Sequence, residues 1–95
     1  MITKKRIDYK VPNGKLIRIE AEIENDKIRK IKINGDFFLH PEESISDIER
    51  VLIGKNLDSE GMKKTLTELT KKKRITLLGV SEKDFADAIM QIKPH

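Results

Sequence analysis

Polar and apolar residues alternate through the first third of the chain. From Lys4 to Val11, Ile7, Tyr9 and Val11 share one parity, and Arg6, Asp8 and Lys10 share the other. Successive side chains of a strand point to opposite faces, so this run reads as a half-buried strand. Lys15 to Glu24 repeats the pattern, with Ile17, Ile19, Ala21 and Ile23 inward and Arg18, Glu20, Glu22 and Glu24 outward. Pro12-Asn13-Gly14 and Asn25-Asp26 supply turn residues between the runs. Lys27 to Asn34 is a third strand, but its parity slips. A two-residue turn at Asn25-Asp26 sets Ile23 opposite Ile28, and an unbroken register would then put Ile31 opposite Glu20. One extra residue at Arg29-Lys30 removes the conflict, so the spacing predicts a bulge there. The bulge places Ile31 against Ala21, Ile33 against Ile19 and Lys32 against Glu20, the last a favourable cross-strand pair.

Beyond Gly35 the period changes. Pro41, Glu42 and Glu43 suit a first helical turn, because proline needs no donor there and carboxylates favour the positive pole of the helix dipole. Ser44 with Asp47 is a competing cap about one turn later. Ile45, Ile48, Val51 and Leu52 form the apolar stripe, and Gly54 ends the helix. Asp58 caps a second helix running to about Lys73, with Met62, Leu66 and Leu69 inward. Ile75 to Val80 is a short apolar stretch, a candidate fourth strand. Ser81 with Asp84 opens a third helix whose stripe is Phe85, Ile89 and Ile92. Strands come first and helices follow. The expected fold class is therefore α+β: a three-stranded antiparallel meander, with an optional short fourth strand, followed by about three helices packed on one face.

Composition narrows the chemistry. The 95 residues are expected to make one domain, 1–95. Leu, Ile, Val and Phe number 28, above the level of about 20% below which chains stay disordered. The chain holds no cysteine, which excludes disulfides, thiolate nucleophiles and Cys-ligated zinc or iron–sulfur clusters, and fits a reducing cytoplasm. No apolar run approaches the length of about 18 residues that a membrane span needs, and no signal peptide is expected before the first strand. Charge is uneven: residues 1–35 carry net +5, residues 36–54 net −4 and residues 55–95 net +3. An acidic segment between two basic ones implies an oriented surface.

The chemically informative stretch is Gly35-Asp36-Phe37-Phe38-Leu39-His40-Pro41-Glu42-Glu43. Adjacent phenylalanines in extended backbone cannot share a face. Either a strand-to-helix corner buries both rings, or one enters the core and the other is covered by a second protein. Gly35-Asp36 carries turn chemistry, with glycine permitting positive φ and aspartate capping nearby donors. His40 precedes a helix start, where a local hydrogen bond or a solvated ring accounts for it, and His95 is terminal. Asn13-Gly14-Lys15 reads as a hairpin turn, with a phosphate-proximal role as the alternative; it lacks the spaced glycines of a phosphate loop. Lys71-Lys72-Lys73-Arg74 ends a helix where cations suit the negative pole. Glu42, Glu43 and Asp47 compensate the opposite pole of the first helix without any catalytic role.

Gly14-Lys15-Leu16-Ile17-Arg18-Ile19, Ile28 to Ile33, Asn34-Gly35-Asp36-Phe37-Phe38-Leu39-His40-Pro41-Glu42-Glu43, Ile48-Glu49 and Leu52-Ile53-Gly54 together resemble the accessory, C-terminal domain of lipoate–protein ligases. The most specific part is Gly-Asp-Phe-Phe followed by Pro-Glu-Glu. In that family the domain is fused after the catalytic domain or stands as a separate small polypeptide. This chain begins at Met1 and leaves no room for a catalytic domain, so the separate form is expected. The resemblance implies a fold similar to sulfur-transfer and iron–sulfur scaffold proteins, whose cysteine chemistry this chain cannot share. It implies a subunit that is not catalytic alone. The partner catalytic subunit would use ATP, magnesium and lipoate to form lipoyl-AMP, then pass lipoyl to a lysine of an acceptor domain. The accessory domain would be needed for the adenylation step. On this reading Gly35, Asp36, Phe37, Phe38 and His40 contact the partner, Lys15 and Arg18 face the nucleotide side, and no cofactor or metal is bound by this chain itself.

Two other classes compete. The net charge of +4 and the Lys71–Arg74 run fit a small nucleic-acid-binding protein, but four aromatics and no paired aromatics on a strand argue against base stacking. A free-standing enzyme is the weakest reading, since no Ser/His/Asp, Cys/His, metal or nucleotide motif is present.

Overall fold

The computed structural model describes residues 1–12 and 14–93. Asn13 of the first turn and the terminal His95 lie outside them. Three long strands, β1 (Ile2–Lys10), β2 (Leu16–Glu24) and β3 (Lys27–Gly35), form an antiparallel sheet in the order β1-β2-β3. The meander follows from the alternation, and its register is the expected one. Ile23 opposes Ile28, Glu22 opposes Lys30, and Arg29 between them is the extra residue of a bulge. Ile31 then meets Ala21, Ile33 meets Ile19 and Lys32 meets Glu20. Asn25 and Asp26 both adopt positive φ, 53° and 60°, the backbone that matches the strands' twist in a two-residue hairpin.

The parity of β2 divides the sheet. Rows such as Ile7–Ile19–Ile33 face the helices, while Lys4–Glu22–Lys30 and Arg6–Glu20–Lys32 form rows of alternating charge on the open face. The helices α1 (Ser44–Leu52), α2 (Ser59–Lys72) and α3 (Glu82–Met90) cover the apolar face. Helix α1 packs on β3, α3 on β2, and α2 on the other two helices. Ile17, Ile19, Ile48, Leu52, Phe85, Ile89 and Ile92 are fully buried between the layers. Two caps are as read from the sequence: Asp58 accepts from Gly61 N–H at 3.0 Å, and Ser81 with Asp84 forms a reciprocal box. No helix among the described residues is long and apolar enough to cross a membrane.

Two expectations need correction. Pro41, Glu42 and Glu43 do not form the first turn of α1. They make a tighter entry whose carbonyls accept from Ser44, Ile45 and Ser46, each three residues on. Ser44 is no cap either: it starts the helix with its side chain buried, and Glu43 holds the cap position without a side-chain hydrogen bond. The short strand expected after α2 is present: Thr76–Leu78 pairs antiparallel with Phe38–His40 in a separate two-stranded ribbon. We call Phe38–His40 β4 and Thr76–Leu78 β5.

The outer edge of β3 is closed by the segment that follows it. Gly54, in left-handed backbone at φ 84°, donates to Ile28 O at 2.7 Å, and Ile28 N–H donates to Lys55 O at 3.0 Å. Further along, Glu49 on α1 accepts from Ile33 N–H at 2.7 Å. Replacing Glu49 by Ala leaves that part-buried amide without its charged acceptor. The expected loss is about 1–3 kcal/mol of unfolding free energy, read from urea denaturation, with faster hydrogen exchange at Ile33. An unchanged midpoint would mean that water replaces the carboxylate without cost.

Candidate functional site

The stretch from Gly35 to His40 is built as a corner held from below. A Cβ on Gly35 would collide with the Leu16 carbonyl oxygen and lie 2.9 Å from the Phe37 ring, so the close approach requires glycine. Asp36 then clamps Leu16 from two directions. Its carboxylate accepts from Leu16 N–H at 2.6 Å, and its own N–H donates to Leu16 O at 3.3 Å. The aspartate therefore serves a strand twenty residues earlier, not the local donor that turn chemistry suggests. Its effect is to fix where the chain leaves β3.

The phenylalanine pair divides as alternation demands. Phe37 turns inward, and its ring meets the buried ring of Phe85 edge-on at 5.1 Å and 87°, a geometry that the ring quadrupoles favour. Phe38 turns outward and is 64% exposed. Leu39 is buried again, and His40 is exposed. The ribbon carries this alternation across to β5. Leu39 opposes Leu77 beneath, while Phe38 opposes Leu78 and His40 opposes Thr76 above. Leu78 is 54% exposed. Directly opposed residues on one face sit within about 5.5 Å at Cβ, so Phe38 and Leu78 form one apolar patch. Leu78 is the site residue that sequence reasoning missed, because its exposure depends on a strand partner far away in the chain.

The turn between β1 and β2 packs beside this patch. Gly79 follows Leu78 in left-handed backbone, φ 88°, and a Cβ there would lie 2.7 Å from Cγ of Lys15. The Lys15 stem thus lies over Gly79, on the ribbon's flank. Arg18 is elsewhere. It stands on the open face of the sheet and pairs with Asp8 at 3.2 Å. Lys15 and Arg18 do not converge on one point, so together they make no cradle for a phosphate. Gly35, Asp36, Phe37, Phe38 and His40 do come together, but only Phe38 and His40 present side chains on the ribbon's outer face.

Other candidates are accounted for within the fold. Lys71 and Lys72 close the last turn of α2, and Lys73 pairs with Asp47 at 3.7 Å. Lys83 is held above the usual lysine pKa by its hydrogen bond to Asp87 and by that carboxylate's charge; it is a surface pair one helical turn apart. Among the described residues, no three of His, Cys, Asp and Glu gather as metal ligands would.

Comparisons with known proteins agree with one another. The family model described as bacterial lipoate protein ligase C-terminus matches residues 4–89. The chain is 37% identical over 51 residues to lipoate-protein ligase A subunit 2 of Thermoplasma acidophilum. That alignment takes in 54% of this chain and 53% of the relative, so it spans about half the relative's length. A solved chain from the archaeal lipoylation system of Thermoplasma acidophilum, comprising a bipartite lipoate protein ligase and its E2 lipoyl domain, superposes with a TM-score of 0.79 and 29% identity. The superposition covers 94% of this chain and 97% of that one.

Proposed function

Since the chain belongs to the family of bacterial lipoate protein ligase C-terminal domains, we propose that it is the accessory subunit of a bipartite lipoate–protein ligase, required with a catalytic subunit for formation of lipoyl-AMP. The observation that carries this reading is the family match, which runs through nearly every element of the fold. An exposed apolar patch supports this reading. Phe38 and Leu78 stand out together on a ribbon whose other face is pinned to the core.

The activation of a lipoyl carboxylate by ATP belongs to the catalytic subunit. The residues of this chain bind that subunit and exclude water from its site. Adenylation moves negative charge onto a leaving pyrophosphate, which electropositive, dry walls stabilise. A docked ribbon brings Lys15 to the edge of the contact, while the Arg18 guanidinium stays with Asp8 on the open face. Covering a loop of the larger subunit would be a gating role.

The test is a two-component assay with the catalytic subunit from the same genome. Lipoyl-AMP formation is expected with both chains and near background with either alone. Equal adenylate formation by the catalytic subunit in the absence of this chain would overturn the reading. Transfer of lipoyl from preformed lipoyl-AMP to an acceptor domain is expected to proceed without it.

A further inference from the structure

The two edges of the main sheet are finished differently. Glu49 and the backbone from Gly54 to Leu57 occupy the outer edge of β3. The outer edge of β1 has no such cover. Among the described residues, no backbone group of Ile2–Lys10 bonds to anything but β2. Beside the middle of this edge, a groove of about 550 Å³ opens next to the row Lys5–Ala21–Ile31, with Ile53 on its wall. Ala21 leaves the space, because it carries a methyl group where Ile19 and Ile23 on either side carry full side chains. Ile53, just past the end of α1, is 50% exposed. The charged residues of the lining are five cations and two carboxylates, and three of the cations, Lys4, Lys5 and Arg6, lie on the edge strand.

We propose that the β1 edge is a strand-addition site for an extended acidic segment of another protein chain. The segment pairs with the Lys4–Asp8 stretch of β1 and lays its inward apolar side chains beside the Lys5 stem and the half-buried Ile7, at the mouth of the groove. Strand addition draws affinity from main-chain hydrogen bonds and specificity from pockets for every second side chain. The main-chain component is the uncovered edge of β1, and the side-chain component is the half-buried Ile7 with the mouth of the groove beside Lys5. The charge selects the partner. Intervening acidic side chains would meet Lys4 and Arg6 on the open face, whereas a second copy of β1 would set Lys4, Lys5 and Arg6 against their like. The basic edge thus blocks self-pairing and admits an acidic strand. This inference does not depend on which enzyme the chain serves, and the site lies well along the sheet from the ribbon patch.

The test uses the full chain, labelled with nitrogen-15, and a synthetic peptide alternating Val and Glu over about ten residues. The control peptide has Lys in place of Glu. The Glu peptide is expected to shift the amides of residues 3–9 and to slow hydrogen exchange at the outward amides of β1 by about tenfold or more. The Lys peptide is expected to do neither. Lys5→Glu, and separately Lys4→Glu, should each weaken the Glu peptide by about tenfold while the remaining spectrum of the free protein stays in place. Three results would overturn the proposal: no added protection in β1, an equal response to the Lys peptide, or concentration-dependent protection of β1 in the chain alone, which would assign the edge to a second copy.

Discussion

Phe85→Ala is expected to lower the unfolding free energy by about 3–5 kcal/mol, the usual cost of emptying a buried phenylalanine site. Domains of this size hold about 5–15 kcal/mol in total, so the variant should sit near the edge of folding. Phe85 is fully buried on α3 and takes the edge of the Phe37 ring at 5.1 Å. Its removal therefore opens a cavity at the core and also takes away the floor of the corner that presents Phe38. Urea denaturation followed by circular dichroism gives the stability. A gentler pair of variants isolates the aromatic contact: Phe37→Leu, Phe85→Leu and the double substitution should show a coupling of about 0.5–1.5 kcal/mol. Additive losses would mean that the two rings contribute only burial. A Phe85→Ala protein with near-parental stability would mean that α3 collapses into the space, and the corner would then need another support.

The coupling of core to corner explains which parts of the fold were legible in the sequence. Register was legible to the residue. Three strands with a two-residue turn leave one consistent way to keep Ile31 and Ile33 inside, and the bulge at Arg29 follows from parity alone. Caps were legible because Asp58, Ser81 and Asp84 act on donors within one turn. The ribbon was not. A three-residue strand contains too little sequence to display a period, and the pairing of Phe38 with Leu78 links segments forty residues apart. Exposure of Leu78 follows only once that partner is known. The start of α1 was misread for a related reason. Ser44 has the composition of a cap, but the tight Pro41–Glu43 turn places it inside the core. Of the proposed partner-binding residues, Gly35, Asp36 and Phe37 turn out to build the corner, while Phe38 and His40 face outward from it. The division of labour within the stretch depends on contacts with Leu16 and Phe85.

Phe38→Asp combined with Leu78→Asp should separate association from folding. Both side chains are more than half solvated in the isolated chain, so little buried area is lost, but the two carboxylates face each other across the ribbon, and the variant is expected to stay folded at a cost of about 1–2 kcal/mol. Docked on a catalytic subunit, the same two positions would place carboxylates in an apolar contact. Truncating a central apolar anchor commonly costs about 2 kcal/mol or more, roughly 30-fold in dissociation constant for each residue, and a desolvated charge adds to that. Titration calorimetry with the catalytic subunit should therefore show affinity falling by at least about 100-fold. Lipoyl-AMP formation in the two-component assay should fall in step when the accessory chain is limiting, and should recover when the variant is added in large excess. That recovery distinguishes a docking surface from a surface that takes part in the chemistry. Full loss of activity with affinity unchanged would move the ribbon into the active site, and unchanged affinity with unchanged activity would place the contact elsewhere on the molecule. Lys64→Gln, at an exposed position of α2, serves as the surface control and should leave both measurements where they are.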